Sequence, residues 1–231
     1  MRPVNRGSWP QDENGNNVAY SAYGNARGML IKNMGQYCSY CEQKLGASLA
    51  VEHVLPKDLY PTLKLSWDNF ILGCTNCNST KGAKNPGLNN IYWPHIDNTY
   101  RAFTYHAGGR IKVNSALNTS QQSQAKKTLK LTGLKKRKPV NGSASDRRWI
   151  NRRSVMEQAK TLLDDYKNNP SEAQLRAIKI VAINAGFWSV WMTIFQNYPD
   201  VQREISEAFP GTCMGCFDDN MNPIQRNPTG I

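Results

Sequence analysis

Histidine is scarce in this chain. His53, His95 and His106 are the only three, so any step that needs an imidazole has a short list of candidates. Acidic residues are also few: 17 Asp and Glu stand against 29 Lys and Arg, a formal charge of +12 with a pI near 9.5. That imbalance points to a polyanionic partner, nucleic acid first, unless it serves only as a solvated basic surface. Long apolar runs are missing. The best candidate, 177–195, is interrupted by Lys179, Asn184, Gly186, Ser189 and Thr193, which makes it a buried helix rather than a membrane span. The opening residues MRPVNRGSWP hold no apolar segment of the kind a secretory signal needs, so a cytoplasmic chain is expected. There are no internal repeats and no Walker A pattern, so a P-loop nucleotide site is not expected in this chain. With 39% hydrophobic and 20% charged residues, the chain should fold, as one ordinary domain or as a small module with a helical appendage.

Against these absences stands one dense stretch, 37–82, in which Cys38/Cys41 and Cys74/Cys77 form two Cys-x-x-Cys pairs around a Glu52-His53 dipeptide. A Cys-x-x-Cys turn can aim two thiolates at one ion, and two such turns supply the four tetrahedral ligands of a structural zinc. In a reducing compartment this spacing favours metal over disulfide. The long insert between the pairs is expected to fold as a loop clipped by the metal, which contributes folding free energy to a piece too small to hold itself. A third pair, Cys213/Cys216, has no matching pair left. A second zinc would need His95, His106 or another subunit, and two free or packed cysteines are the expected outcome.

The elements can be read coarsely. A helix is expected over 19–34 with Gly35 as its stop, a strand over 49–55 carrying His53, a partner strand over 67–72, and a short helix from Cys77 to Gly82. A hairpin should follow over 100–113, then helices over 118–131 and 146–167. A long apolar helix should run from the Asn169-Pro170-Ser171-Glu172 signature to about Tyr198, and a last short one from Pro199 to Phe209. The aromatic stripe of Phe187, Trp188, Trp191 and Phe195 reads as core rather than as a platform for bases. The fold class is therefore α+β. An N-terminal arm and helix (1–36) leads into the zinc-clipped core (37–84), and a hairpin with a helical C-terminal part follows (85–231).

The order Y-C-x-Y-C-E, V-E-H-x-x-P-K, W-D-N-F-I-L-G-C and C-N-S-x-K within 37–81 resembles the HNH, or ββα-metal, endonuclease motif in its four-cysteine form. It is similar in particular to the HNH proteins of bacterial anti-phage systems such as the nuclease component of Septu. The resemblance implies a strand-strand-helix core and hydrolysis of phosphodiester bonds, with His53 as the general base that deprotonates water. It also implies that Glu52 and Asn78, which flank the motif at the positions of its ion ligands, hold a catalytic cation. Many relatives carry Asp or His at the first of these and His at the second. The oxygen pair found here suits Mg²⁺ or Mn²⁺ better than Zn²⁺ or Ni²⁺. Asn69 matches the central N, whose implied role is to brace the loop and orient the histidine. A lone histidine is ordinarily a packed core residue. His53 departs from that by sitting beside a carboxylate inside a zinc-clipped loop of a basic protein.

Lys57 and Lys81, from P-K and S-x-K, are candidates to hold target phosphates. So is the basic tract 126–153, in which Lys135, Lys136, Arg137, Arg147 and Arg148 stand out and Asp146 is the single acid. Clustered positive charge suits phosphate contacts with little sequence preference, although a charge run is often only a solvated face. The expected activity is metal-dependent cleavage of DNA in anti-phage defence, with an ATPase partner as the Septu resemblance implies. The alternatives are an RNA nuclease with the same site, perhaps acting on tRNA, or a zinc-knuckle nucleic-acid-binding protein whose HNH site is silent.

Overall fold

The computed structural model describes residues 1–137, 146–228 and 230–231. Lys138 of the basic tract lies outside them. The architecture is α+β: two separate two-stranded antiparallel sheets set among helices. Among the described residues, no helix is long and apolar enough to cross a membrane.

The centre of the chain is the strand pair β1 (Leu49–His53) and β2 (Phe70–Cys74), with Leu49 opposite Cys74 and His53 opposite Phe70. Every residue of β2 is buried, as expected of a short apolar run covered on both faces. Cys74 then caps the helix α2 (Thr75–Lys81), its sulfur accepting from the Cys77 amide at 3.4 Å, and Gly82 ends that helix at φ 53°. Strand, strand and helix thus follow in the expected order. The boundaries differ: β1 ends at His53 rather than at 55, β2 runs from Phe70 to Cys74 because 67–69 form a 3₁₀ turn, and α2 begins two residues ahead of Cys77.

The insert between the strands is held by Asn69. Its carboxamide oxygen accepts from the Leu55 amide at 2.7 Å, and its nitrogen donates to the carbonyls of Leu55 at 2.9 Å and Leu63 at 3.2 Å. Three bonds from one buried amide satisfy backbone groups that the irregular loop would otherwise leave orphaned.

Upstream, the helix expected over 19–34 is shorter. A 3₁₀ turn at Tyr23–Ala26 leads into α1 (Arg27–Met34), which Gly35 terminates at φ 73°. Downstream come a one-turn helix α3 (Thr99–Ala102), the hairpin β3 (Phe103–His106) with β4 (Arg110–Val113), and α4 (Thr119–Thr132), opened by an Asn118–Gln121 capping box. The second half is α5 (Arg148–Asn168), α6 (Glu172–Ala185), α7 (Trp188–Ile194) and α8 (Pro199–Ala208).

The single apolar helix expected up to Tyr198 is in fact two. Gly186 (φ 74°) and Phe187 (φ 55°) break it between α6 and α7. Glu42, just past the first cysteine pair, holds the chain at this break. Its carbonyl accepts from the Phe187 amide at 2.9 Å, and its buried carboxylate accepts from the Ser189 amide at 3.1 Å and hydroxyl at 2.5 Å. A carboxylate at the start of a helix satisfies its free amides. Hydropathy along 172–198 could not reveal this acceptor, because Glu42 and Ser189 are 147 residues apart. Phe187, Trp188, Trp191 and Phe195 are all buried core, as read from the sequence.

Candidate active site and zinc centre

The two ends of the β1–β2 pair carry different chemistry. At the Leu49–Cys74 end, Cys38, Cys41, Cys74 and Cys77 converge, with their sulfurs within 4.8 Å of one another and all four buried. The Cys41–Cys74 separation is 3.7 Å. A tetrahedron of thiolates about 2.3 Å from a zinc has edges of roughly 3.8 Å, so the donor set and its spacing fit Zn²⁺. Two backbone amides point at the sulfurs, Cys74 toward Cys38 at 3.3 Å and Cys77 toward Cys74 at 3.4 Å. Hydrogen bonds from the other three cysteines hold the Cys74 thiol far below its usual range.

Arg148 closes this centre from the second half of the chain. Its guanidinium donates to Cys77 Sγ at 2.9 Å and to the carbonyls of Thr132 at 2.9 Å and Gly133 at 3.3 Å. It also forms an ion pair with Asp146 at 2.6 Å. One side chain therefore partners a cysteine ligand, caps the carbonyl end of α4 and starts α5. This overturns its assignment to the substrate: a buried guanidinium with all these partners is not available to a phosphate. Arg152, one turn on, is buried as well and donates to the Gly109 carbonyl at 2.8 Å. The basic tract is thus not one continuous exposed track. Lys135, Lys136, Arg137 and Arg147 are exposed. Lys136 reaches Thr80 Oγ1 of α2 at 3.4 Å, and Arg137 lies over the Trp149 ring at 5.6 Å.

At the His53–Phe70 end lies a cleft of about 180 Å³ lined by Glu52, His53, Lys57, Asp58, Asn78 and Lys81, with Tyr23 at its edge. His53 is wedged between Tyr23 and Phe70, with ring centroids at 4.8 and 5.4 Å, both edge-on. Its Nε2 lies 2.9 Å from the Lys64 carbonyl. A carbonyl can only accept, so Nε2 carries the proton and Nδ1 is the basic nitrogen. Burial lowers the imidazole's proton affinity, Lys57 and Lys81 lower it further, and the Lys64 carbonyl only partly opposes them. The balance favours the neutral ring, although Asp58 also opposes it. Asn69 is next to Phe70, the strand partner of His53, and its bonds to Leu55 and Leu63 shape the loop that presents the Lys64 carbonyl.

Glu52 and Asn78 line the same cleft, and Gly73 lies against the stem of Glu52. A Cβ on Gly73 would lie 3.0 Å from the Cβ of Glu52 and 3.9 Å from that of Asn78. The missing methyl leaves room for the Glu52 stem. Hard oxygen donors in one cleft suit a Mg²⁺ or Mn²⁺ ion. Burial raises the Glu52 proton affinity, and Lys81 pulls it back. Lys81 itself is 1% exposed, pairing with Glu52 Oε1 at 2.8 Å and donating to the His53 carbonyl at 2.7 Å. It lines the cleft, but its ammonium is engaged by Glu52 and the His53 carbonyl, where S-x-K suggests a lysine for target phosphates. Lys57 is half-buried at the cleft, its ammonium 4.8 Å from the Tyr23 ring centroid.

Sequence reasoning missed the Lys64 carbonyl, Tyr23, Gly73 and the true partner of Lys81. Only Gly73 left a signal, since an isolated glycine in a buried strand marks a close approach. Cys213 and Cys216 are free thiols, the first half-buried and the second buried. Among the described residues no third ligand joins them in a metal-holding group.

Residues 38–84 match the HNH endonuclease family model. The chain is also 34% identical over 104 residues to the Septu protein PtuB of Bacillus thuringiensis, a match that covers 42% of this chain and 40% of that protein. Residues 38–84 hold the four-sulfur centre and all of the cleft lining except Tyr23, so this stretch is similar to HNH endonucleases in both its metal-ligand set and its candidate site.

Proposed function

We propose that the chain is a metal-dependent endonuclease that hydrolyses phosphodiester bonds of DNA as part of bacterial anti-phage defence, with an ATPase as partner. The observation that carries the catalytic part is the bond between His53 Nε2 and the Lys64 carbonyl, which places the proton on Nε2 and makes Nδ1 the basic nitrogen of a ring that lines one cleft with Glu52 and Asn78. The defence setting rests on the likeness to the Septu protein, and the ATPase on the Septu resemblance alone.

His53 Nδ1 accepts a proton from a water as its oxygen attacks phosphorus. The bond from phosphorus to the 3′ oxygen breaks on the opposite side, giving 5′-phosphate and 3′-hydroxyl ends. Tyr23 and Phe70 keep the ring from rotating, so the base is oriented before substrate arrives. Glu52 and Asn78 would hold a Mg²⁺ or Mn²⁺, which when bound supplies positive charge to the phosphorane and the departing oxygen. Lys57 at the cleft and the exposed Lys135, Lys136, Arg137 and Arg147 supply phosphate contacts along the strand. Lys84, Lys127 and Lys130 ring a groove of about 350 Å³ floored by Pro86, Ile91 and Leu131, and they extend the same positive surface beyond α2.

The test is cleavage of plasmid DNA and of total RNA by purified protein in EDTA, Mg²⁺ or Mn²⁺, beside His53→Ala. DNA cutting that needs the cation and falls at least 10³-fold in His53→Ala is expected. Cutting that survives the substitution would remove His53 from the mechanism, and cutting confined to RNA would reassign the substrate.

A further inference from the structure

The cleft carries four charged side chains, Glu52, Asp58, Lys57 and Lys81, two of each sign. The carboxylate best placed as an ion ligand is already neutralised, because Glu52 and Lys81 form an ion pair at 2.8 Å with both side chains almost wholly buried. A divalent ion arriving alone would meet one paired carboxylate and one neutral amide, and it would have to displace an ammonium that water cannot readily resolvate. We propose that Lys81 is a built-in counter-cation that keeps the Glu52–Asn78 site from retaining a divalent ion until a phosphodiester enters the cleft, so that metal and nucleic acid load together. This rests on the nuclease reading above.

Net charge and ligand count set the affinity of an oxygen site for Mg²⁺ or Mn²⁺, and Lys81 takes the site's charge from −1 to zero. A phosphodiester brings one negative charge and further oxygen donors, which restores what Lys81 removes. Lys81 also donates to the His53 carbonyl at 2.7 Å. When Glu52 turns to the ion, the ammonium keeps that partner and can face the incoming phosphate, so no buried charge is left alone. Linkage then requires reciprocity: the factor by which DNA tightens the ion equals the factor by which the ion tightens DNA.

The experiment measures Mn²⁺ binding by electron paramagnetic resonance in a zinc-loaded His53→Ala background, which prevents turnover, alone and with a short DNA duplex. With Lys81 present, the duplex should tighten Mn²⁺ at least tenfold. Lys81→Met, which keeps the length and removes the charge, should bind Mn²⁺ at least tenfold tighter without DNA and gain little from it. A residue that only braces the fold would not raise metal affinity when removed. Asn78→Asp offers a second route that leaves Lys81 in place: the added carboxylate should also tighten Mn²⁺ at least tenfold in the absence of DNA. Unchanged or weaker Mn²⁺ binding in folded Lys81→Met overturns the proposal, and if that variant does not fold, unchanged binding in Asn78→Asp does so. Absence of Mn²⁺ binding in every arm overturns it too. Failure of the nuclease reading looks different: no His53-dependent cleavage with any cation.

Discussion

The two ends of one five-residue strand pair treat a buried cation differently. At the sulfur end Arg148 sits on Cys77, and at the cleft end Lys81 sits on Glu52. Four thiolates around a zinc leave a surplus of negative charge. A single guanidinium offsets part of that surplus and does not compete for the ion. One carboxylate has no surplus, so a single ammonium neutralises it completely. On the proposal above, the same device would support a bound zinc at one end and make a divalent ion conditional at the other. Ligand number, not the kind of cation, decides which.

The most severe perturbation of this pairing is at the sulfurs. Cys77→Ser should lose zinc and native structure together, because zinc binding in such small sites is itself the folding free energy. Zinc stoichiometry and circular dichroism are the measurements, and a native-like, zinc-free protein would remove the structural role. Next comes Arg148→Met, which strips the sulfur, Asp146 and two helix-end carbonyls of their partner. Loss of one member of a buried pair costs about 3–5 kcal/mol, read as a lower urea midpoint at unchanged slope, with faster loss of zinc to a chelator. Gly73→Ala separates the ends again. It should leave zinc in place, cost about 1–3 kcal/mol from overpacking, and depress cleavage by pushing on the stem of Glu52. Full activity in that variant would show that the Glu52 stem has room to spare. The mildest is Lys127→Glu with Lys130→Glu. This should leave stability and the chemical step intact and flatten the slope of log affinity against log salt by about 1.8, at roughly 0.9 for each phosphate no longer neutralised.

Local rules served well where the cause is local. The Asn118 capping box, the glycine stops at Gly35, Gly82 and Gly133, and the hairpin were all readable because each depends on neighbours within a few residues. The break at Gly186–Phe187 was not expected: Gly186 offered a local stop, but the acceptor that holds the chain there is the distant Glu42. The basic tract shows the same limit. A run of cations in sequence looks uniform, yet Arg148 and Arg152 turn inward on the helix that carries them while Arg147 stays outside. Three residues matched to the motif, His53, Glu52 and Asn78, do share one cleft.

Residue identity and spacing, with the resemblance to the HNH motif, were enough to name candidate ligands and a candidate base. Paired cysteines, a histidine beside a glutamate, and an asparagine after the last cysteine are chemical identities, readable without coordinates. Their electrical state is a property of the folded chain alone. Whether a lysine meets a phosphate or a glutamate, an arginine meets DNA or a sulfur, and an imidazole offers Nδ1 or Nε2 depends on which backbone carbonyl or carboxylate lies about 3 Å away. Those neighbours come from segments far apart in the chain, brought within range only when the core closes.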